Sequence, residues 1–423
     1  MSIRNRLIYF VIFFIAFRAS GQTNDTLQLS LGDAEKLFLQ KNLLLLAAHY
    51  NVDATQALIR QARLWDNPTL ITDQNLYDGR FFRHSKLPGS NEPNGQIYIQ
   101  VQQLIRTGGK ISKLTDMAST NARISELQLE ALIHNLRYTV RTDFYHLAQL
   151  HAALTLYEQE GTQISKLLYA MQAQLKAGNI AQKDFLRIQA LQLSVLQEAT
   201  GYKNEIADVQ AELKMLLSIK ENVYIKPLVP AAKVSLQIPA LDSLLQYAKN
   251  NNPDYLLEQT NLLYQQQNLR YQQALRKPDV TAGVEYDKAN SYTPNYYGLT
   301  LSLPLPVFNR NQGNIAAAGF SVKQEQTLVS QKEQRLIVDL QHALNTIYLQ
   351  QQLQQSIDQD FPNKYDKLIQ NAITAYQQRQ LGLLEFIDLF ETYKDTQLKL
   401  LQQQYNLQKA KEDLNLITGK DIL

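Results

Sequence analysis

Histidines, cysteines and paired carboxylates build most catalytic and metal sites, and this chain uses them sparingly. Its six histidines are scattered, with no pair at the i, i+4 spacing that places two ligands on one helix face. It has no cysteine, which excludes disulfides, thiolate metal sites and cysteine nucleophiles. No nucleophile and base pattern, phosphate loop or carboxylate pair in a pocket-like context occurs. We therefore predict that the protein is not an enzyme and needs neither a cofactor nor a metal.

Charged residues instead recur at two short turns between helical tracts, residues 176–187 and 379–388. A shift of 201 residues superimposes the two turns and pairs Asp184 with Glu385 and Arg187 with Asp388. A ring of several copies of an acidic residue favours cations, and neighbouring arginines could hold such a ring shut. The alternative is an ordinary solvated helix end. The residues assigned to this site are Gly178, Asp184, Arg187, Tyr376, Arg379, Glu385 and Asp388.

Helical periodicity accounts for most of the chain around these turns. Leu, Gln, Ala and Tyr dominate long tracts, with only 16 glycines and 12 prolines in 423 residues, a composition typical of long helices. The net charge of +3 is small and no basic block occurs, so nucleic acid is not an expected partner. The pattern predicts helices over residues 31–66, 111–176, 181–217, 314–378 and 382–418.

Four shorter stretches alternate apolar and polar residues with a period of two, which indicates β-strands. Val280, Ala282 and Val284, for example, alternate with Thr281 and Gly283. Strands of about ten residues are long enough to cross a bilayer's hydrocarbon at a tilt, although a soluble sandwich has the same alternation. The predicted strands lie at about 69–77, 96–105, 279–287 and 296–303.

The order helix, strand, strand, very long helix, returning helix occurs twice. A shift of 210 residues aligns Asn42 with Asn252 and Pro68 with Pro278. A match of this kind over about 200 residues predicts two structural repeats. They cover residues 22–219 and 241–423 and are joined by a proline-containing linker, 220–240.

The 201-residue shift also aligns Gly161 with Pro362. Both residue types weaken helices, and an interior proline kinks them. We predict a bend at this level of both long helices, where a tube would taper. The alternative is a chance pairing.

The N-terminus has the pattern of a secretory signal. Arg4 and Arg6 precede an apolar run over residues 7–17, and small residues follow up to Gly21. The run is too short to span a membrane and suits a cleaved signal peptide at 1–21. The mature chain is then exported and is either soluble or a β-barrel protein. Without a cysteine it cannot carry a lipid anchor on an N-terminal cysteine.

The strand count suggests what the exported chain does. Four strands cannot close a membrane barrel, for which about eight is the smallest number, and open edges are not tolerated in lipid. Several chains would have to share one barrel, joined to long helices that form a tube with a wet lumen. The alternative is a soluble periplasmic coiled-coil adaptor or scaffold whose strands form a small sandwich.

Several phrases in the two repeats are distinctive as a set: LGDAEKLFLQKN, QARLWDNPTL, NNPD with RKPDV, LSLPLPVFNRNQGNIAAA, AYQQRQLGLLEFIDLFETY and AKEDLNLITGK. Together they resemble the TolC-like outer-membrane efflux proteins, and PLPVFNRNQG looks most like the heavy-metal (cobalt-zinc-cadmium) branch of that family. The resemblance covers essentially the whole mature chain, in order.

The resemblance implies a mainly α fold of long antiparallel hairpins, with four strands per chain in a shared trimeric twelve-stranded barrel in the outer membrane. It implies a passive conduit for small solutes that docks onto a periplasmic membrane-fusion adaptor and an inner-membrane pump of the resistance-nodulation-division type. One departure concerns Arg379, which stands where the family commonly has glycine, so the geometry of the second turn is in question.

Overall fold

The computed structural model describes residues 26–422, apart from 78, 84, 87, 90, 92–94, 221, 230–237 and 359. The predicted signal peptide lies outside the described residues, as does part of the predicted linker. The first half of the chain contains β1 (Thr26–Ser30), α1 (Leu31–Lys41), α2 (Leu43–Arg63), β2 (Thr69–Gln74), β3 (Ile97–Ile105), α3 (Lys110–Lys176) and α4 (Gln182–Leu216). The second half contains β4 (Tyr224–Leu228), α5 (Leu241–Asn251), α6 (Pro253–Leu275), β5 (Val280–Asp287), β6 (Tyr296–Ser302), α7 (Gln312–Ser356), α8 (Phe361–Gln377) and α9 (Leu383–Thr418).

The architecture is mainly helical, as predicted, and the helices lie side by side in one order. Close to the strands, α2 packs on α3, α3 on α6, and α6 on α7. Farther away, α4 packs on the second half of α3, which packs on α9, and α9 packs on α7 and α8. The longest helix, α3, has 67 residues, about 100 Å at 1.5 Å per residue.

The four predicted strands form one antiparallel sheet in the order β2-β3-β5-β6, the same lateral order as the helices that enter and leave it. Val101 lies opposite Val284, and Val284 lies opposite Leu299, so these three side chains share one face. This face is bare: Leu299 is 83% exposed and Val284 59%. Within the described residues, β2 and β6 each have one unpaired edge.

The other face of the sheet is polar and internally hydrogen-bonded. Tyr98 Oη donates to Glu285 Oε2 at 2.8 Å, and Gln100 Nε2 donates to Thr300 Oγ1 at 3.0 Å. Gly283 is required here, because a Cβ would lie 2.8 Å from Thr300 Oγ1 and 2.9 Å from the Val101 carbonyl oxygen. The two faces therefore differ in polarity as the alternating sequence predicts.

The predicted linker contains regular structure that the sequence pattern did not indicate. Strand β4 pairs in parallel with β1, which places Ile225 opposite Leu27. Ile225 is buried, and the Gln210 side chain bonds both its N–H (3.0 Å) and its carbonyl oxygen (2.7 Å). Residues 224–228 of the predicted linker therefore form a strand, because a partner far away in the chain completes it.

The prediction of one continuous helix over residues 31–66 is wrong, because the helix breaks at Asn42. The Asn42 side chain accepts the N–H groups of Leu44 and Leu45 and caps the start of α2. Its Nδ2 donates to the Leu216 carbonyl oxygen at 2.9 Å. Asn252 does the same between α5 and α6: it caps α6, and its Nδ2 donates to the carbonyl oxygen of Ile417 at 2.9 Å.

The two positions predicted to bend behave differently. α3 continues without interruption through Gly161. The predicted helix over 314–378 ends at Ser356 and restarts at Phe361, so Pro362 is the second residue of a new helix. A proline has no N–H to donate to the carbonyl four residues earlier, which explains why no single helix runs through this position.

No helix among the described residues combines the length and the apolar character needed to cross a bilayer.

Candidate functional site: the helical tips

The first tip turn joins α3 to α4 through a residue with positive φ. Gly178 has φ +73°, its N–H donates to the Leu175 carbonyl oxygen at 3.0 Å, and the Asn179 N–H donates to the Gln174 carbonyl oxygen at 2.9 Å. These bonds satisfy the last free carbonyls of α3 and reverse the chain at once. The turn needs a left-handed residue, and glycine adopts that conformation without strain.

The second tip turn, from α8 to α9, has the same geometry, even though Arg379 occupies the position that Gly178 has in the first turn. Arg379 has φ +62°, and its N–H donates to the Tyr376 carbonyl oxygen at 3.0 Å. The Gln380 N–H donates to the Ala375 carbonyl oxygen at 2.8 Å. The substitution therefore leaves the turn intact and places a cation at the tip, at the cost of a strained backbone conformation.

The acidic residues begin the returning helices. Asp184 lies in the first turn of α4 and Glu385 in the first turn of α9. Neither helix has a side-chain cap, since Ala181 and Gly382 occupy the N-cap positions. A carboxylate at this end stabilises the helix through its dipole. The ordinary helix-end role is therefore present at both positions, whatever else the acids do.

The two tips pack against each other. The Arg379 guanidinium donates to Gln174 Oε1 at 3.2 Å. The Tyr376 ring stacks on Phe386 with 4.9 Å between the centroids, and its Oη lies 3.9 Å from Met171 Sδ. Burial raises the pKa of Tyr376, and the charge of Asp184 raises it further. The structure thus brings the tips of both halves of the chain into one surface.

Four of the charged groups at this surface, those of Asp184, Arg187, Glu385 and Asp388, form no ion pair within the described residues. Arg187, Glu385 and Asp388 are exposed, and Asp184 is half-buried. No ion pair joins any of them to another residue in the part of the chain that the structure describes. The acidic and basic groups predicted to form a gate are therefore accessible to solvent in this chain.

The sequence pattern did not identify the buried carboxylate of Glu160. Glu160 of α3 is 5% exposed and belongs to a buried stripe that also contains Tyr157 and Ile164. The 3- and 4-residue spacing of this stripe could have identified it, because such spacing marks the core face of a packed helix. No group of three or more histidine, aspartate or glutamate side chains in the described residues is arranged to hold a metal ion.

Comparison with known proteins finds outer-membrane efflux proteins among those similar to this chain. The family described as outer membrane efflux protein matches the chain over residues 36–218. That region is similar to the outer membrane efflux protein family. The curated cobalt-zinc-cadmium resistance protein CzcC of Cupriavidus metallidurans is 22% identical over 398 residues, which cover 93% of this chain and 90% of the relative.

Solved structures extend the efflux-protein fold to nearly the whole chain. A structure of CusC, from a study of transmembrane channel formation, matches with a TM-score of 0.73 and 17% identity over 95% of both chains. The open state of the MtrE outer membrane channel of Neisseria gonorrhoeae matches with a TM-score of 0.69 and 15% identity, over 93% of this chain and 89% of that one. At these identities the likeness establishes the fold.

Proposed function

We propose that this efflux-family protein is the outer-membrane channel of a tripartite efflux pump, a passive conduit that carries small solutes from the periplasm to the exterior. The observation that carries the proposal is the sheet. It has four strands, one bare apolar face and two unpaired edges, and long helices continue from it in the same lateral order. In lipid the bare face is favourable, but the unpaired edges are not.

Both edges are satisfied if identical chains join side by side. The β6 edge of one chain would pair with the β2 edge of the next, and α7 would lie beside the neighbour's α2. Four strands are too few for closure, whereas three copies supply the twelve that the resemblance implies. We therefore propose a homotrimer in the outer membrane, with the polar sheet face around a wet lumen and the helices extending into the periplasm.

We propose that the tips gate the inner mouth and contact the adaptor. Arg187, Glu385 and Asp388 are exposed and form no ion pair in the described part of their own chain, so they are free to pair across a ring of three copies. Asp388→Asn should raise the leak conductance in planar bilayers, because it removes an acid that an arginine of a neighbouring copy would hold. Lys183→Gln is a control, since it changes an exposed charge of the first tip outside the proposed gate. Unchanged currents for Asp388→Asn would contradict the gate.

The pump partners and the cargo are proposed from the resemblance and from the name of one relative. We propose a periplasmic membrane-fusion adaptor and an inner-membrane pump of the resistance-nodulation-division type as partners. The name of the cobalt-zinc-cadmium resistance relative supports heavy-metal cations as cargo. Deleting the gene should raise sensitivity to zinc, cobalt or cadmium, and restoring it on a plasmid should reverse the effect. Sensitivity confined to organic drugs would refute the metal assignment and leave the conduit in place.

Fractionation tests the location. A channel without a lipid anchor, matured by cleavage of residues 1–21, should appear in the outer-membrane fraction and require detergent for extraction. Crosslinking in the membrane should yield a trimer, and mass spectrometry should find the mature N-terminus near residue 22. Release with the soluble periplasm as a monomer would refute the channel and favour the scaffold.

A further inference from the structure

The buried stripe of α3 contains one ionisable carboxylate. The stripe runs at alternating 3- and 4-residue spacing through Tyr157, Glu160, Ile164, Leu167 and Met171, all of them buried. Both carboxylate oxygens of Glu160 are buried, and neither has a hydrogen-bond partner among the residues that the structure describes. An ionised carboxylate without a partner in such a place costs several kcal/mol, so the neutral acid is favoured.

A cation near Glu160, Lys394, already has a carboxylate partner. Lys394 of α9 lies 3.0 Å from Glu198 Oε2 of α4, and its side chain is 11% exposed. Tyr157 Oη also donates to Glu198 Oε2, at 2.6 Å. Burial raises the pKa of Glu160 to about 8; Lys394 opposes the shift, and the charges of Glu198 and Asp395 add to it. A second ionised carboxylate here would have to share Lys394.

Glu160 also acts on a group of side chains at the start of α8. Its charge adds to the shift in the pKa of Tyr393 of α9, which burial and the bond to Asp366 of α8 raise. Tyr393 Oη donates to Asp366 Oδ1 at 2.8 Å, and its ring lies 5.5 Å from that of Tyr365. Tyr365 stacks on Phe361, the first residue of α8. The 201-residue shift pairs Glu160 with this same Phe361.

We propose that Glu160 is a proton-controlled lock on the tip half of the helices. When Glu160 is protonated, the seam between α3, α4 and α9 is apolar and packs tightly. When it ionises, the charge drives water into the seam at the level where α7 and α8 are already separate, and the tips become free to move apart. The proposal deepens the proposed function, because it supplies a control for the conduit, but the lock itself is a property of helix packing.

Hydrogen–deuterium exchange on the full-length protein in detergent tests the lock. Peptides from the α3 segment 150–176 should lose protection by roughly tenfold between about pH 6 and about pH 8.5, after correction for intrinsic exchange rates. Glu160→Gln, which is neutral at both pH values, should abolish that loss. Glu158→Gln is the matched control, because Glu158 is 58% exposed on the same helix and its ion pair with Lys203 spans 3.6 Å. This control should behave as the wild type does.

Two results would overturn the lock: equal protection of the wild type at both pH values, or a loss of protection that persists in Glu160→Gln. Glu160→Leu, which completes the apolar stripe, gives the same test if the glutamine variant does not fold. Conductance in planar bilayers separates the two proposals. If protection depends on pH but no channel current is seen, the conduit is refuted and the lock stands. If protection does not depend on pH but the currents are normal, the lock is refuted and the conduit stands.

Discussion

Arg141 holds together the first helix, the longest helix and the C-terminal end of the chain, and its replacement should be among the most damaging changes. Its guanidinium donates to Glu35 of α1 at 2.5 Å and to Glu412 of α9 at 2.9 Å. It also grips both carboxylate oxygens of Asp421, at 2.6 and 2.8 Å. These charge-assisted bonds have the paired geometry that makes arginine difficult to replace.

The magnitude follows from burial. The side chains of Arg141 and Glu412 are 11% and 9% exposed, so Arg141→Met leaves a buried carboxylate unpaired, which costs about 3–5 kcal/mol. Asp421 is 53% exposed, and its pair contributes less than about 1 kcal/mol. The double variant Arg141→Met with Glu412→Leu removes both charges and should recover most of the loss.

The pH dependence has a defined sign. Hydrogen bonds from Arg141 lower the pKa of Asp421 from its usual 3.8. A lowered pKa in the folded state means that this stabilisation is complete above pH 3.8 and disappears as the pH falls through the lowered value. The difference between wild type and Arg141→Met should therefore shrink in acid.

Equilibrium denaturant unfolding in detergent, followed by far-ultraviolet circular dichroism, measures the loss. Arg123→Met is the control, because Arg123 lies on the same helix and forms ion pairs with Glu126 and Glu130, but its side chain is 47% exposed. It should cost less than about 1 kcal/mol. If Arg141→Met destabilises the protein no more than Arg123→Met does, the reasoning from burial fails.

Three further predictions use the same assay. Asn42→Ala and Asn252→Ala should each cost about 1–3 kcal/mol, because each loses a helix cap and leaves the carbonyl oxygen of another helix end without its donor; equal stability to wild type would contradict this. Gly178→Ala should cost about 1 kcal/mol and Arg379→Gly should gain a similar amount, since both positions have positive φ; the opposite order would be inconsistent with the turn geometry. Burial, with the charge of a nearby glutamate, raises the pKa of Asp143 to about 7 from 3.8. The stability of the wild type should therefore fall as the pH rises from 3.8 to about 7. Asp143→Asn should not show this fall.

The long helices and the four strands could be predicted because they depend on local periodicity, which is visible in the order of apolar and polar residues. The helix break at Asn42 and the strand β4 could not be predicted, because each depends on a partner far along the chain. The partner is the Leu216 carbonyl oxygen for Asn42 and β1 for β4. Arg379 was predicted to be a doubtful turn residue, and the backbone there adopts the glycine conformation regardless. Of the candidate site, the sequence predicted which residues lie at the two turns. It did not predict that the turns meet through Tyr376, which depends on the packing between the two halves of the chain.

The two unpaired sheet edges are different surfaces, since one is β2 and the other β6. A ring built from such a chain is head-to-tail, and each joint needs one sound edge of each kind. In the proposed ring, a chain damaged at a single edge would still join a healthy neighbour through its other edge and would then prevent closure. In a cell that makes both versions, such defective copies would spoil more assemblies than their share of the population.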